Sequence, residues 1–405
     1  MHNAPAAETT MSAKAWDVFL VFLRLGLTSF GGPIAHLAYF RDELVARRQW
    51  LDDAEFARLV ALCQFLPGPA SSQLGFALGL RRAGWKGALG AFVGFTLPSA
   101  LAMACIALYL PAFGASEAGL AVVHGLKLVA VVVVAHGLWG MARSLTPDLS
   151  RIGIGLLTAS MTLAWPGIAG QLAAISVGAI LGLLLCRCAS AGDSRSMDTT
   201  VPKPIAIASA ALFLVGLAWS LLPRGGGISF GTVAAAHYQA GALVFGGGHV
   251  VLPLLDARLV DSGLISADQF LAGYGAAQAM PGPMFALASY LGAAIPAGSS
   301  PLLGSAIATI CIFLPGFLIL VATLPLWTAL HRQPRIRSAA AGVSAAVVGL
   351  LLSTLYRPLW LDGVNGWQDV LIVAVGLVLC GVMRKPILVV LPWCVVAEVM
   401  SRMVL

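Results

Sequence analysis

Two seven-residue stretches share one pattern: QFLPGPA at 64–70 and QAMPGPM at 278–284. Gln64, Pro67, Gly68 and Pro69 return as Gln278, Pro281, Gly282 and Pro283, 214 positions later. Proline inside a helix deletes a hydrogen bond and clashes with the turn before it, at about 3 kcal/mol. A helix that restarts after such a break points unpaired N–H groups and the positive end of its dipole at whatever lies there. That is an anion site built from backbone, and proline is tolerated in its first turn. Gln64 and Gln278 add uncharged amide donors, and Ser71, Ser72 and Gln73 follow the first break. Phe285, Ala286 and Leu287 follow the second, so the site is expected to be asymmetric.

A second pair of motifs accompanies the breaks. SFGGPIAH (29–36) is echoed by VFGGGHVV (244–251). Gly31, Gly32 and Pro33, with Gly246, Gly247 and Gly248, offer backbone that a ligand can approach closely. Arg24 and Lys127 sit inside apolar runs, where each either neutralises a bound anion or snorkels to an interface. His36 and His249 adjoin the two FGG motifs and are candidates to handle a proton. His124, His136 and His237 lie in or near apolar runs as well. A satisfied structural role is the commoner one for such histidines.

These candidates must be held by helices in a bilayer. The 405 residues are 59% hydrophobic and 10% charged, with mean hydropathy +0.91. Soluble domains carry about 25% charged residues, so this composition suits lipid. Runs of about 20 apolar residues span a membrane. They fall near 16–40, 54–80, 84–110, 118–142, 151–165, 167–186 and 203–222, then 229–255, 268–295, 300–330, 336–360, 368–383 and 386–404. The expected fold is an all-α integral membrane protein of about 13 spans with Gly/Pro-broken helices. Residues 1–15 are expected as a disordered tail, not a cleavable signal. With the N-terminus cytoplasmic and the C-terminus external, fifteen loop lysines and arginines fall inside and seven outside. Arg41, Arg47, Arg48 and Arg58 are the awkward members of the external set.

The paired motifs, with TLPS (96–99) echoed loosely by FLPG (313–316), keep order and spacing. They mark an internal duplication over 16–186 and 229–405. Residues 187–228 supply a polar linker and one linking helix. Six spans per copy plus one linker shift the second copy by an odd number, which inverts it, as in many secondary transporters. Gly90 and Gly94, and Gly178 and Gly182, allow close helix contact within one chain or in a homodimer. Seven cysteines show neither a disulfide framework nor metal spacing. No cofactor or metal is expected, and the net charge of +7 reads as topology, not as a nucleic-acid surface. An enzyme reading finds no GxSxG, no HExxH and no paired intramembrane carboxylates.

FGGPIAH, QFLPGP and RRAGWKGALGAFVGFTLPS in the first half, with FGGGHVVLPLL and QAMPGP in the second, resemble the chromate ion transporter family in its long two-domain form. The resemblance implies an inner-membrane protein that exports chromate and confers resistance. Chromate is a tetrahedral dianion, suited to helix N-termini. Its exit from a negative cytoplasm gains about 4.6 kcal/mol at 100 mV. The alternative is a general oxyanion transporter, sulfate-like, that carries chromate as a mimic, because backbone donors read charge and shape alone.

Overall fold

The computed structural model describes residues 5–113, 116–186, 201–223, 227–245, 248–327 and 333–404, and these hold helices and no strand. The first half contains α1 (Pro5–Thr28), α2 (Gly32–Phe40), α3 (Asp53–Phe65), α4 (Ala70–Phe113), α5 (Glu117–Leu145), α6 (Leu149–Ala164) and α7 (Ile168–Leu185). Helix α8 (Lys203–Leu221) leads to α9 (Phe230–Leu243), α10 (Val251–Leu259), α11 (Ala267–Ala279), α12 (Leu287–Ala294) and α13 (Pro301–Thr323). The chain closes with α14 (Pro334–Thr354), α15 (Trp367–Leu377) and α16 (Ile387–Val404). Helix α1 begins at Pro5, so residues 5–15 are helical where the sequence reading expects a disordered tail; Ala, Glu, Met and Lys favour helix there. The expected linker at 187–200 lies outside the described residues.

Among the described residues, six helices are long and apolar enough to cross a membrane, by length and composition. Apolar helices at 149–164, 284–294 and 367–382 are shorter. Several helices start on a side-chain cap. Asp52, Ser116, Asp148, Ser229, Ser266 and Ser300 each accept an N–H from their helix's first turn. Each cap satisfies one of four otherwise orphaned donors.

Two expected crossings near the N-terminus fold back on themselves. Helices α1 and α2 form a hairpin whose tip is the FGG turn, with Phe22 edge-on to Phe40 at 5.4 Å. Past α2, Arg48 reaches Asp17, about half-way along α1, at 3.3 Å. Helices α3 and the first part of α4 form a second hairpin with Pro-Gly-Pro at its tip. At its open end Arg81 pairs with Glu55 at 2.5 Å, and Arg82 lies over the Trp50 ring at 5.2 Å. Residues 41–58 therefore sit at the same end as Asp17, Arg81 and Arg82. This corrects the sequence reading, which placed Arg41, Arg47, Arg48 and Arg58 at the opposite end. The arms of the second hairpin, α3 and 70–82 of α4, each run 13 residues, or roughly 20 Å, short of a bilayer core of about 30 Å.

The chain then reverses within α4, where Ala83 and Gly84 leave helical geometry. The second half repeats the device. Arg258 of α10 donates to Gln239 at 2.6 Å and to the Ser220 carbonyl at the end of α8. Tyr290 of α12 donates to the Gln269 carbonyl of α11 at 3.1 Å.

Matching glycines hold the matching turns. Gly79 and Gly87 meet so closely that neither has room for a Cβ, as do Gly292 and Gly304. Gly26 lies on the Phe95 carbonyl, and its counterpart Gly241 on that of Ile312. Small residues let backbones approach where lipid gives no hydrophobic drive to associate. Helices α6, α7 and α14 form another such seam, in which Gly178 and Gly182 pack against Gly342. The GAILG spacing is thus used within one chain.

Candidate functional site

The tips of the four hairpins meet in the middle of the molecule and exchange hydrogen bonds across the duplication. The Gly68 amide donates to the Val244 carbonyl at 2.8 Å, and the Gly282 amide to the Ser29 carbonyl at 2.9 Å. Ser29 and Val244 occupy the same place before the two FGG turns. Each Pro-Gly-Pro tip also rests on a helix of the other half. Gly68 lies on Gly316 of α13, and Gly282 on Ser99 and Phe95 of α4. Gly68 (φ +123) and Gly282 (φ +90) hold backbone conformations that L side chains rarely adopt.

One tip is sealed and the other open. Gln73 donates from Nε2 to the Pro67 carbonyl at 2.9 Å and to the Gly316 carbonyl at 2.8 Å, tying the first break shut. Its counterpart after the second break is Leu287, which has no donor. A cavity of about 110 Å³ opens there, well above the roughly 10–15 Å³ that one water-sized probe requires. Two helix starts face it. Gly31 and Gly32 open α2, and Gly282 and Met284 lead into α12. Neither Gly31 nor Pro283 offers a side-chain cap, so first-turn N–H groups are left for another acceptor.

Side chains from four more elements complete the wall. His136 and Gly137 come from α5, Gln278 from α11, Cys380 from the turn after α15, and Ile387 from α16. His249 enters from the turn before α10, held by Tyr274, whose Oη lies 2.8 Å from Nδ1. Tyr274 is fully buried. Gly137 makes room for the His249 ring, since a Cβ there would lie 2.8 Å from its Cδ2. Gln278 donates to the Met284 thioether at 2.9 Å, a weak acceptor that a better one would displace. Among the described residues, the lining has no carboxylate, lysine or arginine.

Among the residues singled out from sequence, Gly31, Gly32, His249, Gln278 and Gly282 line this cavity. Pro33 lies beside it, near Gly248, which is buried against Met284. Pro281 is half-buried and Pro283 buried at the same tip. Pro67, Gly68 and Pro69 shape the sealed tip and do not line the cavity. Ser71 is buried there, its Oγ 3.4 Å from Nδ1 of His36. His36 is itself buried, edge-on to Phe95 at 5.3 Å. Gln64 is exposed on α3, away from the cavity, so the two glutamines are not equivalent. Arg24 is exposed on α1, apart from the cavity. Lys127 is buried but pairs with Asp268 at 2.5 Å at the start of α11. Gly246 and Gly247 lie outside the described residues. Sequence reasoning did not single out Tyr274, Gly137 or Ile387, because only the fold brings them to the tip.

The family model described as chromate transporter matches residues 16–183 and again 231–399. A probable chromate transport protein of Synechococcus elongatus is 28% identical, over 82% of this chain and 81% of its own. A chromate transport protein of Cupriavidus metallidurans is 28% identical, over 86% and 83%. An uncharacterized transporter of Methanocaldococcus jannaschii is 25% identical, over 86% of each chain. No solved structure matches. With both copies of its duplication matched by one family model, this chain belongs to the chromate transporter family.

Proposed function

We propose that the protein carries chromate out of the cytoplasm through the inner membrane, holding the dianion in the cavity between Gly31–Gly32 and Gly282–Met284. One observation carries this reading. Two uncapped helix starts, one from each half of the duplication, converge on a single cavity lined by neutral donors and free of carboxylates. A tetrahedral dianion satisfies both sets of N–H groups at once, and Gln278 exchanges its weak thioether partner for an oxyanion. Tyr274 Oη–H donating to Nδ1 of His249 leaves the ring proton on Nε2, which makes the ring a further donor. The sealed first tip then serves as a fixed strut, and the second as the binding tip.

The reading includes an inverted arrangement of the two copies, with four half-length hairpins and nine full crossings. Salt bridges among Asp17, Arg48, Glu55 and Arg81 gather the open ends of the first two hairpins at one end. Helices α5 and α11 run side by side in the same direction, with Lys127 on Asp268 near their starts and His136 near Gln278 at the cavity. That course favours the other end for the second pair of hairpins. The charge distribution favours the same layout. Only Arg224, Arg258, Arg357 and Arg402 then fall in external loops, against eighteen lysines and arginines in cytoplasmic ones. That is a steeper bias than the thirteen-span count gives. Transport is by alternating access, one copy rocking against the other around the shared tips.

The test is radiolabelled chromate flux in proteoliposomes under an imposed potential, with and without excess sulfate. Potential-driven flux that resists sulfate is expected. Equal suppression by sulfate assigns a general oxyanion transporter instead, and absence of flux from folded protein refutes the reading.

A further inference from the structure

Far from the cavity, three ionisable side chains meet in the interior. His124 of α5, Asp369 of α15 and Glu398 of α16 are 5%, 6% and 3% exposed, and their ligating atoms lie within 4.8 Å of one another. His124 Nε2 is 3.0 Å from Asp369 Oδ2. That carboxylate oxygen also accepts the Asn365 amide at 2.7 Å. Glu398 takes a hydrogen bond from Arg402 at 2.7 Å. One turn along α5, Lys127 pairs with Asp268 of α11. Burying such groups costs several kcal/mol each unless they are paired. Those inside membrane spans tend to serve a transport path.

The elements that meet here are the ones that form the cavity wall. Helix α5 carries His124 and, twelve residues on, His136 at the cavity, about 18 Å away along the axis. Helix α11 starts at Asp268 and ends at Gln278. Asp369 and Cys380 lie at opposite ends of α15 and its following turn. Glu398 and Ile387 lie at opposite ends of α16. The cluster and the neighbouring Lys127–Asp268 pair therefore clamp the far ends of four wall elements. The clamp is tight: a Cβ at Gly125 would lie 2.7 Å from the Val395 backbone.

Resting on the chromate-transport reading, we propose that His124, Asp369 and Glu398 form a proton-binding site whose occupancy closes or releases the outer end of the cavity wall, so that proton uptake is linked to anion exit. The charges balance in one direction. With His124 neutral, Asp369, Glu398 and Arg402 leave one net negative charge. One proton on His124 cancels it and draws both carboxylates onto the ring. Other charged groups on the elements around His124 are Glu117, Lys127 and Arg143 on α5, Asp268 on α11, Arg335 and Arg337 on α14, and Arg357 and Asp362 on the segment after α14 that packs against α5. Lys127 and Asp268 already cancel each other. The protonated cluster holds the outer end closed on the return of the empty carrier. The deprotonated cluster lets it open with chromate bound. Protons then move inward as the dianion moves outward. A divalent metal fits less well, because Glu398 is already committed to the Arg402 guanidinium.

The experiment separates coupling from transport, using the full chain in proteoliposomes. Chromate exchange at equal pH tests the transport reading, and uphill chromate movement driven by a pH gradient tests the cluster. Wild type is expected to accumulate chromate up to about tenfold per pH unit for one coupled proton. H124Q and D369N are expected to keep exchange within about twofold and lose the gradient-driven part. Gradient-driven accumulation surviving in H124Q overturns the proposal. So does loss of exchange together with accumulation in a variant that elutes like wild type, because the cluster would then serve anion movement itself. Stoichiometric zinc or manganese retained by wild type and lost in H124Q also overturns it, in favour of a metal site. If wild type exchanges no chromate, the transport reading fails. The proton site is then judged by histidine NMR in nanodiscs, where a His124 signal unchanged from pH 5 to 9 overturns it.

Discussion

Replacing Gly68 by alanine tests the contact on which the crossed tips depend. Gly68 has φ +123, and a Cβ there would lie 2.8 Å from Gly316 Cα and 2.8 Å from Gln73 Nε2. The first neighbour is backbone and cannot turn aside. The second is the amide that seals the tip through Pro67 and Gly316. A strained backbone residue costs about 1–3 kcal/mol, and overpacking a tight site costs a further ~1–3. The sum is about 2–6 kcal/mol, and even the lower end shifts the closed tip at least about 30-fold toward open states. Gly140→Ala is the control. Gly140 is helical with nothing within 4 Å of an added Cβ, so alanine there is neutral or stabilises by about 0.4–1 kcal/mol. Hydrogen exchange read on peptides covering residues 62–74 and 238–245 is expected to quicken at least about 30-fold in the Gly68 variant, because the bond to Val244 is lost with the tip. Chromate exchange is expected to fall at least tenfold in step. A Gly68→Ala protein as protected and as active as Gly140→Ala would refute the argument that these tips lock each other.

Three further outcomes follow from the same geometry. Gln278→Leu removes a donor from the cavity and is expected to weaken chromate exchange at least tenfold, whereas Gln64→Leu changes an exposed residue and is expected to leave it within twofold; equal losses would contradict the single open tip. Asp268→Asn strands the buried Lys127 ammonium and is expected to destabilise by about 1–3 kcal/mol, less than for a fully buried pair because Asp268 is 66% exposed. Lys127→Met should cost less by thermal unfolding, and the reverse order would sink that account. In a cysteine-free background, an impermeant maleimide is expected to label Ser262→Cys from outside and Arg47→Cys only after permeabilisation; labelling of both from one side would rule out the inverted copies.

The motifs announced the tips but not their roles. The repeated Pro-Gly-Pro and FGG spacing was enough to expect broken helices, an anion-binding character and a duplication, because glycine and proline act through local backbone geometry. The all-helical, lipid-suited character followed from the apolar runs. Composition alone required a membrane. In the layout proposed here, the apolar runs at 16–40, 54–80, 229–255 and 268–295 turn back instead of crossing. A run of 25 residues reads the same whether it crosses once or turns back at its middle.

Which residues gather at one cavity was settled only by the assembled molecule. Gln64 and Gln278 match in sequence, yet one is exposed and the other faces the cavity. Gln73, present after one break and replaced by Leu287 after the other, seals its tip through Gly316, 243 residues away. Arg24 and Lys127 look alike as lone charges in apolar runs, but one is exposed and the other meets Asp268 from α11. Tyr274, Cys380, Asp369 and Glu398 carry no motif, because what they do depends on partners more than 20 residues distant in the chain. Local sequence fixes backbone breaks through sterics within a turn or two. Burial, pairing and cavity walls arise where separate helices meet, and there the tertiary structure decides.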